Sequence, residues 1–181
     1  MTYADVPGFE SESLAHDETA IVVERGRLVD ASLHLRDEHG FRFLSDISAT
    51  DYLYWSEPRT PGYWGNGAGR DLNAVATATL RRVPEPKPKR FSVSYHLLRL
   101  ERGAPRIRVK VWCEDAENVP SVIRVWPTAD WHEREVWDLM GIVFDDHPNL
   151  QRILLEDDWE GHPLRKDYPI GGEPVRFSEA E

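Results

Sequence analysis

The chain has 181 residues and a formal net charge of −10, with 40% apolar and 30% charged side chains. This composition is typical of a folded domain, and the length fits one compact core. The acidic balance argues against a protein that binds nucleic acid, because neutralising phosphates requires a face rich in Lys and Arg. The single cysteine, Cys113, excludes an intrachain disulfide and a standard iron–sulfur cluster, which needs four protein ligands.

The first third of the chain predicts a strand, a helix and a second strand. A β-branched run at 20–24 predicts the first strand. A helix is predicted over 28–39, with Gly40 just beyond its end. Its apolar and small residues recur at helical spacing, at Leu28, Ala31, Ser32 and Leu35. The segment 41–55 alternates imperfectly and predicts a strand with an irregular middle.

A change of composition at 57–90 marks an insertion or long loop, because Gly and Pro are densely spaced there. Within it, 72–81 has a helical pattern. The segments 91–100 and 107–114 then alternate between apolar and polar residues, which predicts a β-hairpin. Eight Lys and Arg residues fall between positions 84 and 110. They form either a solvated face or a patch that docks on an acidic neighbour.

The last third predicts two helices. Pro120 and Ser121 precede an apolar group at 122–125, and Asp130 precedes an amphipathic stretch at 131–140, so both have N-terminal signals. The element order predicts an α+β fold, with a mixed β-sheet and helices packed on one face.

The two parts of this organisation are a core domain over 1–155 and an extended C-terminal tail over 156–181. The tail is rich in Gly, Pro and charge and lacks the periodicity to bury itself. It must therefore lie on the core or on another protein.

Chemical motifs are incomplete. His132 and Glu133 begin a zinc-protease pattern, but the second histidine, four residues after the first, is replaced by Val136. The glycine-rich stretch at 62–70 lacks the spacing of a dinucleotide loop. The carboxylates Glu133, Glu135 and Asp138 could pair with a partner's cations, form a solvated face or do acid–base work. Four Trp residues between 126 and 159 favour association, because Trp is enriched at interface hot spots.

Two segments resemble the signatures of the C-type subunit, also described as the 30 kDa-type subunit, of respiratory complex I. The first is the run WHEREVWDLMGIVF at 131–144, continued by DDHP at 145–148. The second is the run DWEGHPLRKDYP at 158–169, preceded by Arg152, Ile153 and Leu154. The strand sequence FSVSYHL at 91–97 also fits. Gln151 departs from the family pattern, which usually has a basic residue there, and this puts one expected salt bridge in doubt.

The resemblance implies a protein that holds no cofactor of its own, with FMN and iron–sulfur clusters in partner subunits. It packs on the hydrogenase-like D-type subunit that helps to form the quinone cavity (the quinone-site subunit), and on neighbouring subunits of the peripheral arm. The complex carries electrons from NADH to quinone and couples this transfer to proton translocation. We expect the partner interface at Trp131, Glu133, Arg134, Glu135, Asp138, His147, Arg152, Trp159, His162, Arg165, Lys166, Asp167 and Tyr168. The tail segment 158–169 is predicted to become ordered only against the quinone-site subunit.

The first 18 residues lack the basic and apolar parts of a targeting peptide, and the chain has no apolar run of the roughly 20 residues that span a bilayer. We therefore expect a peripheral location on the cytoplasmic side of a bacterial inner membrane, with membrane contact only through partners.

Two alternatives stay open. The chain could be the equivalent subunit of a ferredoxin- or F420-dependent quinone reductase or of a membrane-bound hydrogenase, because the electron donor is decided by other subunits. It could also be a freestanding acid–base or metal enzyme using Glu135, Asp138, His147 and His162.

Overall fold

The computed structural model describes residues 3–15, 18–56 and 84–169. In these ranges a five-stranded sheet has the strand order β1-β2-β5-β4-β3. Its strands are β1 (Phe9–Ala15), β2 (Glu18–Val23), β3 (Phe43–Asp51), β4 (Phe91–Leu98) and β5 (Arg106–Cys113). The pair β2 and β5 is parallel and the other pairs are antiparallel. The predicted α+β fold with a mixed sheet is confirmed.

The core lies between the sheet and two helices. The strand β5 buries alternate side chains, whereas β4 buries every residue from Phe91 to Tyr95. The buried apolar side chains of both strands belong to one cluster with the helices α1 (Leu28–Asp37) and α2 (Ala129–Met140). The helix α1 buries the four positions predicted from its spacing, Leu28, Ala31, Ser32 and Leu35. The β4–β5 hairpin also forms as predicted, with Val93 opposite Val111 and Tyr95 opposite Val109.

Two strands differ from the sequence expectation for physical reasons. The edge strand β1 was not predicted, because its residues are mostly polar and lack an apolar alternation. In the structure its Leu14 is 72% exposed, as an edge strand allows. The strand β3 alternates imperfectly because its pairing with β4 shifts register between Leu44 and Asp46, as in a β-bulge. Its buried residues are therefore Leu44, Ile47 and Asp51 rather than a strict alternate set.

The predicted helix at 122–125 is wrong. Val119–Pro120 forms a short strand, β6, that pairs in parallel with β7 (Phe144–Asp145). The next residues form a single turn, in which the Val122 carbonyl accepts the N–H groups of Val125 and Trp126. Pro127 then follows at a position where a helix would need a further N–H donor.

The helix α2 begins within two residues of the predicted start and ends before Gly141, whose φ is 73°. A left-handed residue at this position ends the helix, and glycine adopts it without a Cβ penalty. The helical pattern at 72–81 and most of the predicted insertion lie outside the described residues. In the described ranges, no helix combines the length and the apolar character needed to cross a membrane.

Candidate partner interface

The residues expected at a partner interface lie on α2 and in the segments after it, and the structure divides them by depth. The side chains of Glu133, Asp138 and His147 have no exposed surface. The others lie at the surface, either exposed (Trp131, Glu135, Trp159, Lys166 and Asp167) or partly buried (Arg134, Arg152, His162, Arg165 and Tyr168).

Glu133 faces the interior beneath the turn that follows β6. Its carboxylate accepts hydrogen bonds from the Ser121 hydroxyl at 2.6 Å and from the Val122 N–H at 2.8 Å. Burial raises the pKa of Glu133 to about 7, and the charge of Asp130 acts in the same direction, while the two hydrogen bonds oppose them. The carboxyl group is therefore partly protonated at neutral pH.

His147 lies beside Glu133. Its Nε2 is 3.3 Å from the Asp130 carbonyl oxygen and 3.9 Å from the Glu133 carboxylate. The Asn149 N–H donates to Nδ1 at 3.1 Å, so the proton of the neutral ring belongs on Nε2. The imidazole is thus held by its own chain on both nitrogens.

Asp138 joins α2 to the segment that follows β7. One oxygen accepts from Arg152 at 2.6 Å, and the other accepts the N–H groups of Ile153, Leu154 and Leu155 at 2.9–3.0 Å. Burial by itself raises the pKa of Asp138, but the three N–H groups and the guanidinium together lower it to about 2. This carboxylate stays ionised at physiological pH and organises the chain at 152–155.

The tail packs on the C-terminal end of α2. The His162 Nδ1 is 2.9 Å from the Asp138 carbonyl oxygen, and the Leu164 N–H donates to the Leu139 carbonyl at 3.0 Å. A Cβ at Gly141 would come within 2.5 Å of the His162 ring. Gly141 therefore both ends α2 and leaves space for the tail.

An ionic network then attaches the tail to the sheet. Arg90 bonds Asp51 at 2.9 Å and Asp167 at 2.8 Å, and Arg165 bonds both oxygens of Asp115 at 2.6 Å. Burial raises the pKa of Asp51, but hydrogen bonds from Arg90 and from two backbone N–H groups, that of Lys166 among them, outweigh it and lower that pKa. The network binds four separate parts of the chain, at 51, 90, 115 and 165–167.

The outer face of α2 presents Trp131, which is 59% exposed. The Arg134 guanidinium lies 5.2 Å from the centre of this ring and donates to the carbonyl groups of Gln151 and Arg152. The contacts of Arg134 therefore orient the Trp131 ring while leaving its other face open.

These contacts correct two expectations. Glu133, Asp138 and His147 were expected at the partner interface, but their side chains are buried and bind groups of their own chain. The segment 158–169 was expected to become ordered only against a partner, but Leu164, Arg165 and Asp167 bind the core of this chain.

Several residues of the site were not found from sequence. Ser121 donates a hydrogen bond to Glu133, 12 positions away, while Asp115 and Asp51 accept hydrogen bonds from residues 50 and 115 positions away. No local pattern identifies such partners. Arg90 was counted only as part of the basic stretch, four of whose side chains form ion pairs in their own chain: Lys89, Arg90, Arg99 and Arg108.

The fold and this arrangement define a class of α+β domain in which a buried carboxylate of one helix organises the segment that follows, and ion pairs attach a C-terminal segment to a mixed sheet. The chain belongs to the family described as "Respiratory-chain NADH dehydrogenase, 30 Kd subunit", whose family model matches residues 21–174. The resemblance carried by the two segments around α2 and in the tail is thereby confirmed.

The chain is also similar to individual known proteins. The C-type subunit of NADH-quinone oxidoreductase from Methylobacterium sp. (strain 4-46) is 41% identical over 172 residues, which cover 93% of this chain and 65% of that relative. A trypsin-resistant fragment of Nqo5 is 29% identical, with a TM-score of 0.58 over 79% of this chain and 90% of the fragment. A chain of the membrane-bound sulfane sulfur reductase, an archaeal respiratory membrane complex, shares the fold at 20% identity and a TM-score of 0.62, over 92% of this chain and 80% of that one.

Proposed function

We propose that this chain is a scaffold subunit, without a cofactor of its own, in the peripheral arm of a proton-translocating NADH:quinone oxidoreductase. It docks on the quinone-site subunit, while FMN and iron–sulfur clusters belong to other partner subunits. The chain lies peripherally on the cytoplasmic side of a bacterial inner membrane, as part of a membrane complex, and it meets the membrane only through its partners. Family membership and a relative named as the C-type subunit of NADH-quinone oxidoreductase support the proposal.

The observation that carries the proposal is a group of exposed apolar side chains around α2, which we call the docking surface. Its members are Trp131 (59% exposed), Leu154 (61%), Trp159 (42%) and Leu164 (59%). Each lies on α2 or in a segment that is hydrogen-bonded to α2 or to Arg152. Large apolar side chains grouped with Arg residues are typical of protein interfaces, where Trp and Arg dominate the binding energy.

The internal contacts of the site explain how this surface is held rigid. Asp138 holds the N–H groups of 153–155, so the chain that carries Leu154 has a defined backbone. Arg152 donates to the Trp159 carbonyl at 2.7 Å. A surface ordered before association loses less conformational entropy when a partner binds. The buried Asp138 carboxylate therefore serves docking by positioning rather than by contact.

A pull-down of the quinone-site subunit tests the proposal. The double variant Trp131→Ala and Leu154→Ala, coexpressed with the other subunits, should recover at least about tenfold less of that partner, since hot-spot residues each contribute about 2 kcal/mol or more. NADH:quinone activity of the membranes should fall in parallel.

The matched control is Leu14→Ala with Leu100→Ala, two substitutions outside the docking surface at side chains that are 72% and 77% exposed. This control should recover the quinone-site subunit normally. Equal recovery in both double variants would show that the docking surface is not the contact with that partner.

The alternative is that the chain serves a ferredoxin- or F420-dependent quinone reductase, which differs in the electron donor, or a membrane-bound hydrogenase, which does not reduce quinone. Membranes that contain the assembled chain should reduce quinone with NADH and not with reduced ferredoxin or F420H2 if the proposal is correct. The fold shared with the sulfane sulfur reductase chain is compatible with either assembly.

The freestanding enzyme is disfavoured by the state of its candidate groups. Asp138 is saturated with hydrogen bonds and has a pKa of about 2, which is unsuited to proton transfer near neutral pH. Within the described ranges, His147 and His162 belong to no cluster of three metal-ligating side chains.

A further inference from the structure

Two histidines and one carboxylate converge at the end of α1, far in sequence from the docking surface. The Nε2 atoms of His34 and His39 lie 3.0 Å and 2.9 Å from the same atom, Oδ2 of Asp5. The three ligand atoms all lie within 4.8 Å of one another. In the part of the chain that the structure describes, this is the one group of three such side chains.

The cluster is organised by its surroundings. The ring centroids of His39 and Tyr3 are 5.3 Å apart. The His34 ring packs edge-on against the His39 ring, with the same distance between centroids. Tyr3 is itself buried and also contacts Phe41. The two imidazoles are thus held by packing and are partly buried, at 26% and 18% side-chain exposure, while Asp5 is more exposed, at 54%.

The position of the two histidines at the C-terminal end of α1 favours the binding of a cation. His34 lies in the last turn of α1 and His39 two residues beyond its end at Asp37. The C-terminal end of a helix carries a partial negative charge that attracts cations. Asp37 is paired with Arg36, so the charge that remains nearest the two rings is the Asp5 carboxylate.

From this convergence we propose that Asp5, His34 and His39 form a binding site for a divalent transition-metal ion of the Zn²⁺, Co²⁺ or Ni²⁺ type. Ligands about 2.1 Å from one such ion stand roughly 3 Å apart, which is close to the two N···O distances here. Two imidazoles with one carboxylate suit these ions, whereas Mg²⁺ and Ca²⁺ prefer oxygen ligands throughout. Water completes the coordination on the exposed side.

The ion connects two parts of the chain that are distant in sequence. Asp5 belongs to the segment that precedes β1, and this segment is attached to the core by the buried side chains of Tyr3 and Val6. His34 and His39 belong to α1 and its C-terminal loop. Bound metal therefore fastens the N-terminal segment to α1 and stabilises the folded state in proportion to its free concentration.

Calorimetric titration of the tag-free 181-residue chain with Zn²⁺ tests the site. One ion should bind per chain, and each of Asp5→Asn, His34→Gln and His39→Gln should weaken binding at least about tenfold, since even the partners of metal ligands contribute that much. Asp5→Asn is the sharpest variant, because its amide oxygen still accepts a hydrogen bond from an imidazole but lacks the charge of a metal ligand. His132→Gln is the control, since His132 faces only the single carboxylate of Asp46 at 3.5 Å.

Two further readouts use the unmodified chain. Zn²⁺ should shift the imidazole NMR resonances of His34 and His39 while those of His96 and His132 stay in place, and Co²⁺ should give ligand-field absorption in the visible. If Zn²⁺ binds the wild type no more tightly than it binds Asp5→Asn or His34→Gln, or if the His34 and His39 resonances do not move, the cluster is a pair of hydrogen bonds and the proposal is overturned.

Discussion

At the scale of single residues, two buried carboxylates on one helix have opposite protonation behaviour. Asp138 receives one guanidinium and three backbone N–H groups, and its pKa is about 2. Glu133 receives one hydroxyl and one N–H and lies near Asp130, and its pKa is about 7. Burial raises both pKa values, so the number and charge of the hydrogen-bond donors decide the outcome.

Asp138→Asn should destabilise the chain strongly. The substitution leaves Arg152 without its buried partner and turns an amide NH2 toward donors, so the free energy of unfolding should fall by about 3 kcal/mol. Urea unfolding measures this. Glu135→Gln, an exposed position on the same helix, is the control and should change stability by less than about 0.5 kcal/mol. If Asp138→Asn and the wild type have equal free energies of unfolding, the Asp138 contacts are dispensable.

Glu133→Gln should change how stability depends on pH. The folded-state pKa of about 7 lies above the ordinary 4.5, so the folded chain binds more protons between these values and loses stability as pH rises through them. Gln mimics the protonated acid. The wild type should lose roughly 1–3 kcal/mol between pH 5 and pH 8 relative to the variant, as measured by urea midpoints. Parallel pH profiles would contradict the raised pKa.

At the scale of elements, the junction between α2 and the tail depends on one glycine. Gly141 ends α2 with φ of 73°, and its missing side chain leaves the space that the His162 ring occupies. The tail therefore needs both a left-handed backbone and the absence of a Cβ at the same residue. Gly103, in the β4–β5 turn, has φ of 76° with open space around it.

Comparing the single variants Gly141→Ala and Gly103→Ala separates the need for a left-handed backbone from the need for space at the His162 ring. Both variants carry the left-handed penalty of about 1–2 kcal/mol, but only the first brings a Cβ against a ring. Gly141→Ala should therefore be less stable than Gly103→Ala and should show faster amide exchange at Leu164, whose N–H bonds α2. If the two variants lose equal stability and exchange alike, the His162 contact contributes nothing.

At the scale of the whole molecule, the described part of the tail, up to residue 169, is part of the folded unit. Residues 162–167 bond to the end of α2, to Asp51 at the end of β3 and to Asp115 after β5. These bonds tie together the parts of the chain on either side of residues 57–83. One of these contacts, from the Leu164 N–H to the Leu139 carbonyl, also holds a residue of the proposed docking surface.

A chain that ends at residue 155 should therefore unfold at a lower urea concentration than the intact chain. The lost bonds to Asp51, Asp115 and Leu139 correspond to about 2–4 kcal/mol at roughly 1 kcal/mol each. Arg165→Lys should be intermediate, because Lys keeps the charge but cannot bond both oxygens of Asp115 in fork geometry. An unchanged midpoint in the truncated chain would mean that the tail becomes ordered only against a partner.

The sequence by itself was sufficient for the elements with strong local patterns. The spacing of Leu28, Ala31 and Leu35 predicted the buried face of α1, and the alternation at 91–97 predicted β4. It was also sufficient for the family, because the two signature segments are long and specific. Local periodicity reports which face of an element is apolar, and this determines the layers of the fold.

Only the tertiary structure decided where the charged residues of those segments point. Helical spacing places Glu133 and Asp138 on α2. The groups that donate hydrogen bonds to their buried carboxylates come from the turn after β6 and from residues 152–155. The convergence of Asp5 on His34 and His39 likewise depends on packing of the N-terminal segment against α1. Sequence reasoning places a carboxylate on a helix in solvent or at a partner, because a buried carboxylate needs hydrogen-bond donors. These donors are distant in the sequence, and only folding brings them to the carboxylate.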